Sequence, residues 1–485
     1  MAKRTAVIDI GSNSVRLVIF EKTSRFAFHI LHEAKSRVRI SENAYKNNAH
    51  LQKVPQERAF SALKEFSYII KEYKVTKTLC LATSALRDAP NRKDFIKKVK
   101  QDLNIHIKVI NGEREAYLGG LAAANLLYLD SALSVDIGGG STDLCLYENR
   151  QISQTYSLNL GTVRLKELYF DNEDLKGAQA HIDLELKKLP SILKHETIIG
   201  IGGTIRSISN MIMQNKDNSF KKIHGFCYQT ADQKSYFKQI LQADKQVLIE
   251  LGVKEERLDT IQTGLLILTS LIKHFNSVKL ISSGAGIREG LFLSDLLRSQ
   301  HNAFPKNYNP SVKSILDRFS VEKKPYLYKR SSQLFDLVSK ELKLDENYKS
   351  SFLIAIKLSQ VGKEIDFYES HRHAYYILLN GLNYGFSHQQ TLLISSLVRY
   401  QRKKQAPESH ILKYKAYLPK TETLHALSFL MRLCIDLFNN FEAKEEIEFT
   451  LKDKTLLVKT TDSYLMKERL NDLRDNALLN IDISS

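Results

Sequence analysis

The sequence predicts an α/β protein made of two half-domains built alike, followed by a mostly helical region. Three observations carry this. Ile8 to Leu17 reads I-D-I-G-S-N-S-V-R-L and Val135 to Leu144 reads V-D-I-G-G-G-S-T-D-L, so one pattern (aspartate, Ile, Gly, two small residues, Ser, two more residues, Leu) occurs twice at long spacing. Around each copy, three extended runs give way to alternating helix and strand. Past residues 300–312, where Pro305 and Pro310 stand among asparagines, apolar residues recur with helical spacing. The expected boundaries are 1–130 and 131–299 for the two half-domains, 300–312 for a linker and 313–485 for the helical region.

In the first half-domain, Thr5–Ile10, Val15–Glu21 and Phe26–Arg39 read as strands, the first two joined by the Gly11 to Ser14 turn. Ala59, Leu63, Phe66 and Ile70 form the apolar stripe of a helix over Pro55–Tyr73. Thr78–Ala82 is a strand running into T-S-A-L-R-D. There Thr83 or Ser84 is expected to cap a helix that runs to about Leu103, with Arg87 in its first turn, near where an anion would dock on free amides. Ile105–Ile110 follows as a strand, Asn111-Gly112 as a turn and Glu113–Leu127 as a helix.

The second half-domain repeats the plan. Leu133–Ile137, Asp143–Glu148 and Ile152–Leu160 read as strands and about Val163–Lys194 as helical. Thr197–Ile201 is a strand ending in G-G-T-I-R, Leu258–His274 an apolar helix and Val278–Ser282 a strand. The turn S-G-A-G-I-R-E-G then enters a helix ending near Ser299. Further helices are expected at 332–343, 350–363, 371–380, 388–400 and 421–440. A hairpin of Ile447–Thr450 and Thr455–Lys459 and a closing helix from about Ser463 complete the chain.

At 485 residues with a formal charge of +17, core size sets no limit, and the basic balance points toward polyanions. The four cysteines, Cys80, Cys145, Cys227 and Cys434, show no metal-type or redox pairing, and Cys80 and Cys145 sit in apolar strands as small hydrophobes. M-A-K-R-T runs straight into a strand without an apolar signal region, and no stretch approaches a bilayer-spanning length. A cytoplasmic protein is expected, with no membrane partner and no specific nucleic acid.

Glycines near hydroxyls and carboxylates at a strand-to-strand turn outline a phosphate cradle, because a backbone free of Cβ can take positive φ and bring N–H groups up to an anion. Three loops qualify. They are Gly11, Ser12, Asn13 and Ser14 with Arg16 just beyond; Gly138, Gly139, Gly140, Ser141 and Thr142; and Gly202, Gly203 and Thr204 with Arg206 in the following helix. All three would lie at strand ends on one edge of two related lobes, clamping a phosphate chain between them. Asp9, Asp136 and Asp143 would repel phosphate unless a hard cation intervenes, and Mg²⁺ held by carboxylates, phosphate oxygens and water is the expected cofactor. Hydrolysis also needs a base to orient water. Glu115 is available in the turn after Asn111-Gly112, although acidic residues in a first helical turn are expected from the helix dipole alone.

Seven motifs in order, D-I-G-S-N-S-V-R-L (9–17), L-A-T-S-A-L-R (81–87), N-G-E-R-E-A (111–116), V-D-I-G-G-G-S-T-D-L (135–144), L-G-T-V-R (160–164), I-G-G-T-I-R (201–206) and S-G-A-G-I-R-E-G (283–290), resemble the exopolyphosphatase/guanosine pentaphosphate phosphohydrolase family. The resemblance implies a duplicated ribonuclease-H-like fold of the actin, sugar kinase and Hsp70 type, with an interlobe cleft as active site. It implies Mg²⁺-dependent release of a terminal phosphate by water, from inorganic polyphosphate or from the 5′ end of guanosine pentaphosphate. On the same basis Glu115 is the catalytic base, Asp136 and Asp143 are metal-site residues, and Asn13 and Arg87 contact phosphate. Arg114 stands where relatives often have an acidic residue, and Glu113 is given no catalytic role.

Longer members of that family carry a helical domain resembling the HD phosphohydrolases, and H-R-H-A-Y-Y-I-L (371–378) with L-V-R-Y-Q-R-K-K (397–404) is similar to it. At the place of the His-Asp pair stand Ser359 and Gln360, poor metal ligands, and His371 and His373 are two apart on a helix and face different ways. Arg399, Arg402, Lys403, Lys404, Lys413, Lys415 and Lys420 form a basic run suited to guiding a long polyanion or to a solvated face. The substrate is the expected partner, and a homodimer is left open. Two alternatives remain: an actin-like small-molecule kinase, which would need ATP and an acceptor, and a non-catalytic alarmone or polyanion sensor, which would bind without releasing phosphate.

Overall fold

The computed structural model describes residues 3–319, 324–402, 405–438, 447–460, 464–471, 473 and 478–484. The chain divides into two units, Met1–Pro310 and Ser311–Ser485.

The first unit holds two mixed sheets. β1 (Arg4–Ile10), β2 (Val15–Lys22), β3 (Phe28–Ser36), β4 (Lys77–Ala82) and β5 (Ile107–Val109) form one, in the order β3-β2-β1-β4-β5. β6 (Ala132–Ile137), β7 (Thr142–Glu148), β8 (Gln151–Leu158), β9 (Thr197–Ile201), β10 (Cys227–Gln229) and β11 (Lys279–Ser282) form the other, in the order β10-β11-β9-β6-β7-β8. In each, an antiparallel meander of three strands is extended by two parallel ones, so the sequence repeat is a fold repeat, and the arrangement is the expected ribonuclease-H-like one. The parallel step from β1 to β4 needs a crossover, which the helix Lys53–Glu72 supplies. Its buried residues Pro55, Ala59, Ala62, Leu63 and Phe66 follow the expected stripe, and a fully buried Leu or Phe contributes roughly 1.5–3 kcal/mol.

Several expectations are corrected. The helix expected from Thr83 to Leu103 is two helices, Ser84–Asp88 and Arg92–Leu103, because Pro90 cannot continue the first. Neither Thr83 nor Ser84 supplies a side-chain cap; the Ser84 hydroxyl instead meets that of Ser12 at 3.0 Å. The region Val163–Lys194 contains two α-helices, Thr162–Leu168 and Leu175–Leu186, with 3-10 turns at Phe170–Asn172 and Ser191–Leu193. The short edge strand β10 carried no alternating pattern long enough to read.

One feature of packing decides where the site lies. The helix Gly112–Leu126 follows the first sheet in sequence but packs on the second: Ala123, Ala124 and Leu127 share a core with Tyr147, Ile199 and Ile281. Reciprocally, the helix Ile287–Leu296 follows the second sheet but lays Phe292 on the first, stacked on Phe20 at 4.2 Å. The two helices cross at Gly290, where a Cβ would collide with the backbone carbonyl of Leu118.

The second unit packs helices Pro325–Val338, Lys349–Leu358, Ser370–Gly381, His388–Tyr400 and Thr421–Phe438 around one apolar core. The expected hairpin is present as β12 (Glu448–Lys452) and β13 (Thr455–Lys459), turning at Asp453-Lys454, both at positive φ. A third strand, β14 (Asn480–Ser484), joins β13 in parallel and was not expected. No helix among the described residues is long and apolar enough to cross a membrane.

Candidate active site

The two D-I-G hairpins superimpose in their bonding. Ile10 pairs with Val15 and Ile137 with Thr142, and each turn is closed by a glycine amide donating to a serine carbonyl, Gly11 to Ser14 at 3.1 Å and Gly138 to Ser141 at 2.9 Å. The expected reason for the glycines is only partly right. None of Gly11, Gly138, Gly139 or Gly140 has positive φ; among the glycines of the three loops only Gly202 does, at +88°. Close approach explains Gly139 and Gly140. A Cβ on Gly139 would stand 2.9 Å from Cβ of Ser12 in the opposite hairpin, and one on Gly140 would strike the Tyr45 hydroxyl and Ser84.

The hairpins also align two cross-strand pairs. In the first, Asp9 lies opposite Arg16; in the second, Asp136 lies opposite Asp143. Facing carboxylates in a buried hairpin repel. Burial, with Asp136 adding to it, pushes Asp143 up to about 7, and burial pushes Asp136 up to about 6. Asp9 is raised too, by burial, against the charges of Arg288 and Arg16. Asp143 Oδ2 accepts from Ser141 Oγ at 3.2 Å; its buried Oδ1 has no partner in good hydrogen-bond geometry, although the Ser157 hydroxyl lies near enough to the carboxyl to oppose its rise. A buried carboxylate oxygen without a well-aligned donor, facing a second carboxylate, fits a divalent cation. Among the described residues no three acidic, histidine or cysteine side chains converge as a complete metal cage, so phosphate oxygens and water would have to finish the coordination.

Glu115 comes within electrostatic reach of the aspartate pair because its helix packs on the second sheet. Burial and the charge of Asp143 raise it well above the ordinary glutamate range, against the lowering effect of Arg87. Glu113, two residues earlier, is exposed.

One cleft is lined by Asp9, Glu115, Asp136 and Asp143 on the acidic side and by Arg16, Arg206, Arg257 and Arg288 on the basic side. Gly11, Ser12, Asn13 and Ser14, Gly138, Gly139 and Ser141, and Gly202, Gly203 and Thr204 also face it, so all three expected loops meet there. Arg206 is fixed by bonds to the carbonyls of Gly202 and Gly284, both 3.0 Å, and burial lowers it to about 10.

Three expected phosphate ligands lie elsewhere. Thr142 is fully buried and donates to the Leu160 carbonyl at 2.7 Å. Gly140 is turned toward Tyr45 and Ser84. Arg87 is not on the cleft wall; its Nη1 donates to Glu115 Oε2 at 3.0 Å. Two arginines were missed. Arg288 carried a signal, since Ile287-Arg288 follows a glycine turn into a helix just as Ile205-Arg206 does. Arg257 lies in the 3-10 turn Glu255–Arg257 and carried none.

In the second unit, His371 is buried and His373 half-buried on their helix, and Ser359 is buried. Of the basic run, Arg402, Lys413, Lys415 and Lys420 are exposed and Arg399 is half-buried, whereas Lys403 and Lys404 lie outside the described residues.

Comparison with known proteins bears on both units. A sequence model of the Ppx/GppA phosphatase family matches residues 18–299, and a second, for Ppx/GppA phosphatase domain III, matches residues 309–485. The solved structure of an Aquifex aeolicus member of the Ppx/GppA family is 29% identical, over 62% of this chain and 100% of its own, with a TM-score of 0.54. An exopolyphosphatase from Cytophaga hutchinsonii is 24% identical, over 61% of this chain and 98% of its own, with a TM-score of 0.56, a likeness of fold alone.

Proposed function

Because the chain belongs to the Ppx/GppA phosphatase family, and is a phosphohydrolase on that ground, we propose that it releases the terminal phosphate of inorganic polyphosphate, the 5′ terminal phosphate of guanosine pentaphosphate, or both. The observation that carries this reading is the cleft itself: a half-buried glutamate raised well above its ordinary range, lining the same cleft as a pair of facing aspartates and four arginines. Such an arrangement suits water attack on a phosphoanhydride, where catalysis is mainly positioning and charge stabilisation.

In the proposed reaction the terminal phosphoryl group lies among the hairpin turns at Ser12-Asn13 and Gly139 and the first turn of the helix beginning at Gly202. Arg16 and Arg206 face its oxygens across the cleft. Glu115 accepts a proton from water as the water oxygen bonds to phosphorus. The bridging P–O bond breaks, and its electron pair leaves on the shortened chain. Asp136 and Asp143 would hold Mg²⁺, which when bound would neutralise charge on the transferring phosphoryl group.

Phosphate release from long-chain polyphosphate and from guanosine pentaphosphate, measured side by side with Mg²⁺ and with chelator, tests the reading. Release from at least one substrate, lost in Glu115→Gln with the fold intact, is expected, with a fall of about 10²-fold or more. Near-normal turnover in that variant would remove Glu115 from its role. Tight binding of guanosine pentaphosphate without any release would replace a hydrolase by a sensor.

A further inference from the structure

Arg87 stands between two carboxylates. Its Nη1 is 3.0 Å from Glu115 Oε2, and its Nε is 3.7 Å from Asp88 Oδ1. The other oxygen of Asp88, Oδ2, accepts from Arg164 Nη2 at 2.8 Å. Arg164 in turn donates through Nε to the carbonyl of Gly140 at 2.8 Å, and its guanidinium lies 4.5 Å over the ring of Tyr45. The result is a chain of alternating charge, Glu115, Arg87, Asp88, Arg164, ending on the glycine loop.

The chain crosses the lobes. Arg87, Asp88 and Tyr45 belong to the first half-domain; Arg164 and Gly140 belong to the second. Arg164 is tied to its loop twice over, since the helix Thr162–Leu168 begins with the amides of Thr162 and Val163 donating to Gly138 and Gly139 carbonyls at 3.0 and 2.8 Å. Arg164 therefore follows the phosphate loop wherever it moves. Asp88 has two arginines to satisfy, and what Arg164 does not hold is available to draw Arg87 away from Glu115. All four side chains are largely shielded from solvent, between 15% and 26% exposed, so the competition takes place where charge is poorly screened.

We propose that Asp88 and Arg164 are positioning residues that tie the seating of the second lobe's glycine loop to the placement of Arg87 and thus of Glu115. This rests on the hydrolase reading above. With the loop seated, Arg164 occupies Asp88 and leaves Arg87 on the base; with the loop withdrawn, Asp88 recaptures Arg87 and the base loses its orienting partner. Neither residue lines the cleft, so neither needs to touch substrate.

The two single variants are expected to act with opposite sign, which a merely structural role would not produce. In Asp88→Asn a negative charge is lost and Arg87 turns fully to Glu115, so the base ionises more readily and the acid limb of the pH–rate profile moves down. In Arg164→Gln, Asp88 is freed to compete for Arg87, so the limb moves up. Each displacement is expected at about half a pH unit or more, with kcat reduced about tenfold or more and KM within about twofold. The measurement is steady-state phosphate release by the full chain across pH, with thermal unfolding of each variant as a check on the fold. Arg164→Lys, which keeps charge but cannot hold Asp88 and Gly140 together, should recover only part of the rate. If Arg164→Gln does not fold, the direction in the near-isosteric Asp88→Asn decides alone. An active wild type with the limb unmoved, or moved the same way in both variants, would overturn the positioning role and leave the hydrolase reading standing. A wild type inactive on both substrates would overturn the hydrolase reading and this one with it.

Discussion

Arg87 Nη1 and Glu115 Oε2 lie 3.0 Å apart, yet the arginine does not make Glu115 an ordinary carboxylate. Burial and the charge of Asp143 raise the glutamate further than Arg87 lowers it. A base held in this balance keeps proton affinity for water activation while its carboxylate plane is fixed by a guanidinium.

A pH dependence follows. Glu115 must be ionised to act, so activity should be present above its raised value and fall away as pH drops through it. That acid limb should lie above the range of a free glutamate. Arg87→Gln removes the main lowering influence, so it should move the limb to higher pH and reduce kcat by about tenfold or more. An unchanged limb in that variant would mean that Glu115 does not set it.

Stability should respond to pH through the aspartate pair. Unfolded aspartate ionises near 3.8, whereas Asp136 and Asp143 wait until about 6 and about 7 in the fold. Between these values the folded chain holds more protons than the unfolded one, so stability should fall as pH rises from about 4 to about 7 and level off above. A cation bound by the pair would reverse this, and Mg²⁺ should therefore raise the unfolding midpoint more at pH 8 than at pH 5. In Asp143→Asn the repulsion disappears, so the variant should be more stable than wild type at pH 8 without Mg²⁺ and should respond to the ion weakly.

Much of this was legible in the sequence because it is written in local pattern. The two D-I-G hairpins, the crossover helix over Lys53–Glu72 and the G-G-T turn into a helix are local objects, and the duplication of Asp9 and Asp136 reported the duplication of the sheets. What stayed hidden depends on distant contacts. Nothing near Arg87 says that it faces Glu115 rather than phosphate, since that follows from where the helix Gly112–Leu126 packs. Arg257 reaches the cleft from a 3-10 turn with no motif around it. The glycines were visible, but their reason was not, because φ and close approach write the same letter.

That distinction is measurable. Gly11 does not take positive φ, and a Cβ there meets only the Ser14 carbonyl, at 3.4 Å, so Gly11→Ala should fold with a stability within about 1 kcal/mol of wild type. Gly140→Ala drives a methyl into Ser84 and the Tyr45 hydroxyl, and should cost about 1–3 kcal/mol. Because Arg164 rests on the Tyr45 ring, the same change should also lower kcat. Chemical denaturation of the two variants separates the cases, and equal losses would mean that the loop's close packing is not what requires glycine.

The helix crossing allows a sharper contrast. At Gly290 an added methyl meets the carbonyl oxygen and α-carbon of Leu118, which are backbone and cannot rotate aside, so Gly290→Ala must push the two helices apart. One of those helices carries Glu115, three residues before Leu118, and the other Phe292, two residues after Gly290 and stacked on Phe20. Separation should therefore weaken the first sheet's packing and displace the base together, with a loss of about 1–3 kcal/mol or more. At 1 Å of misplacement the rate should also fall by about 10²-fold. Phe292→Leu provides the control, since it thins the Phe20 stack without forcing the helices apart. It should cost stability while leaving kcat near wild type, measured by denaturation and phosphate release on the same preparations. A Gly290→Ala protein with wild-type kcat would show that the crossing does not set the position of Glu115.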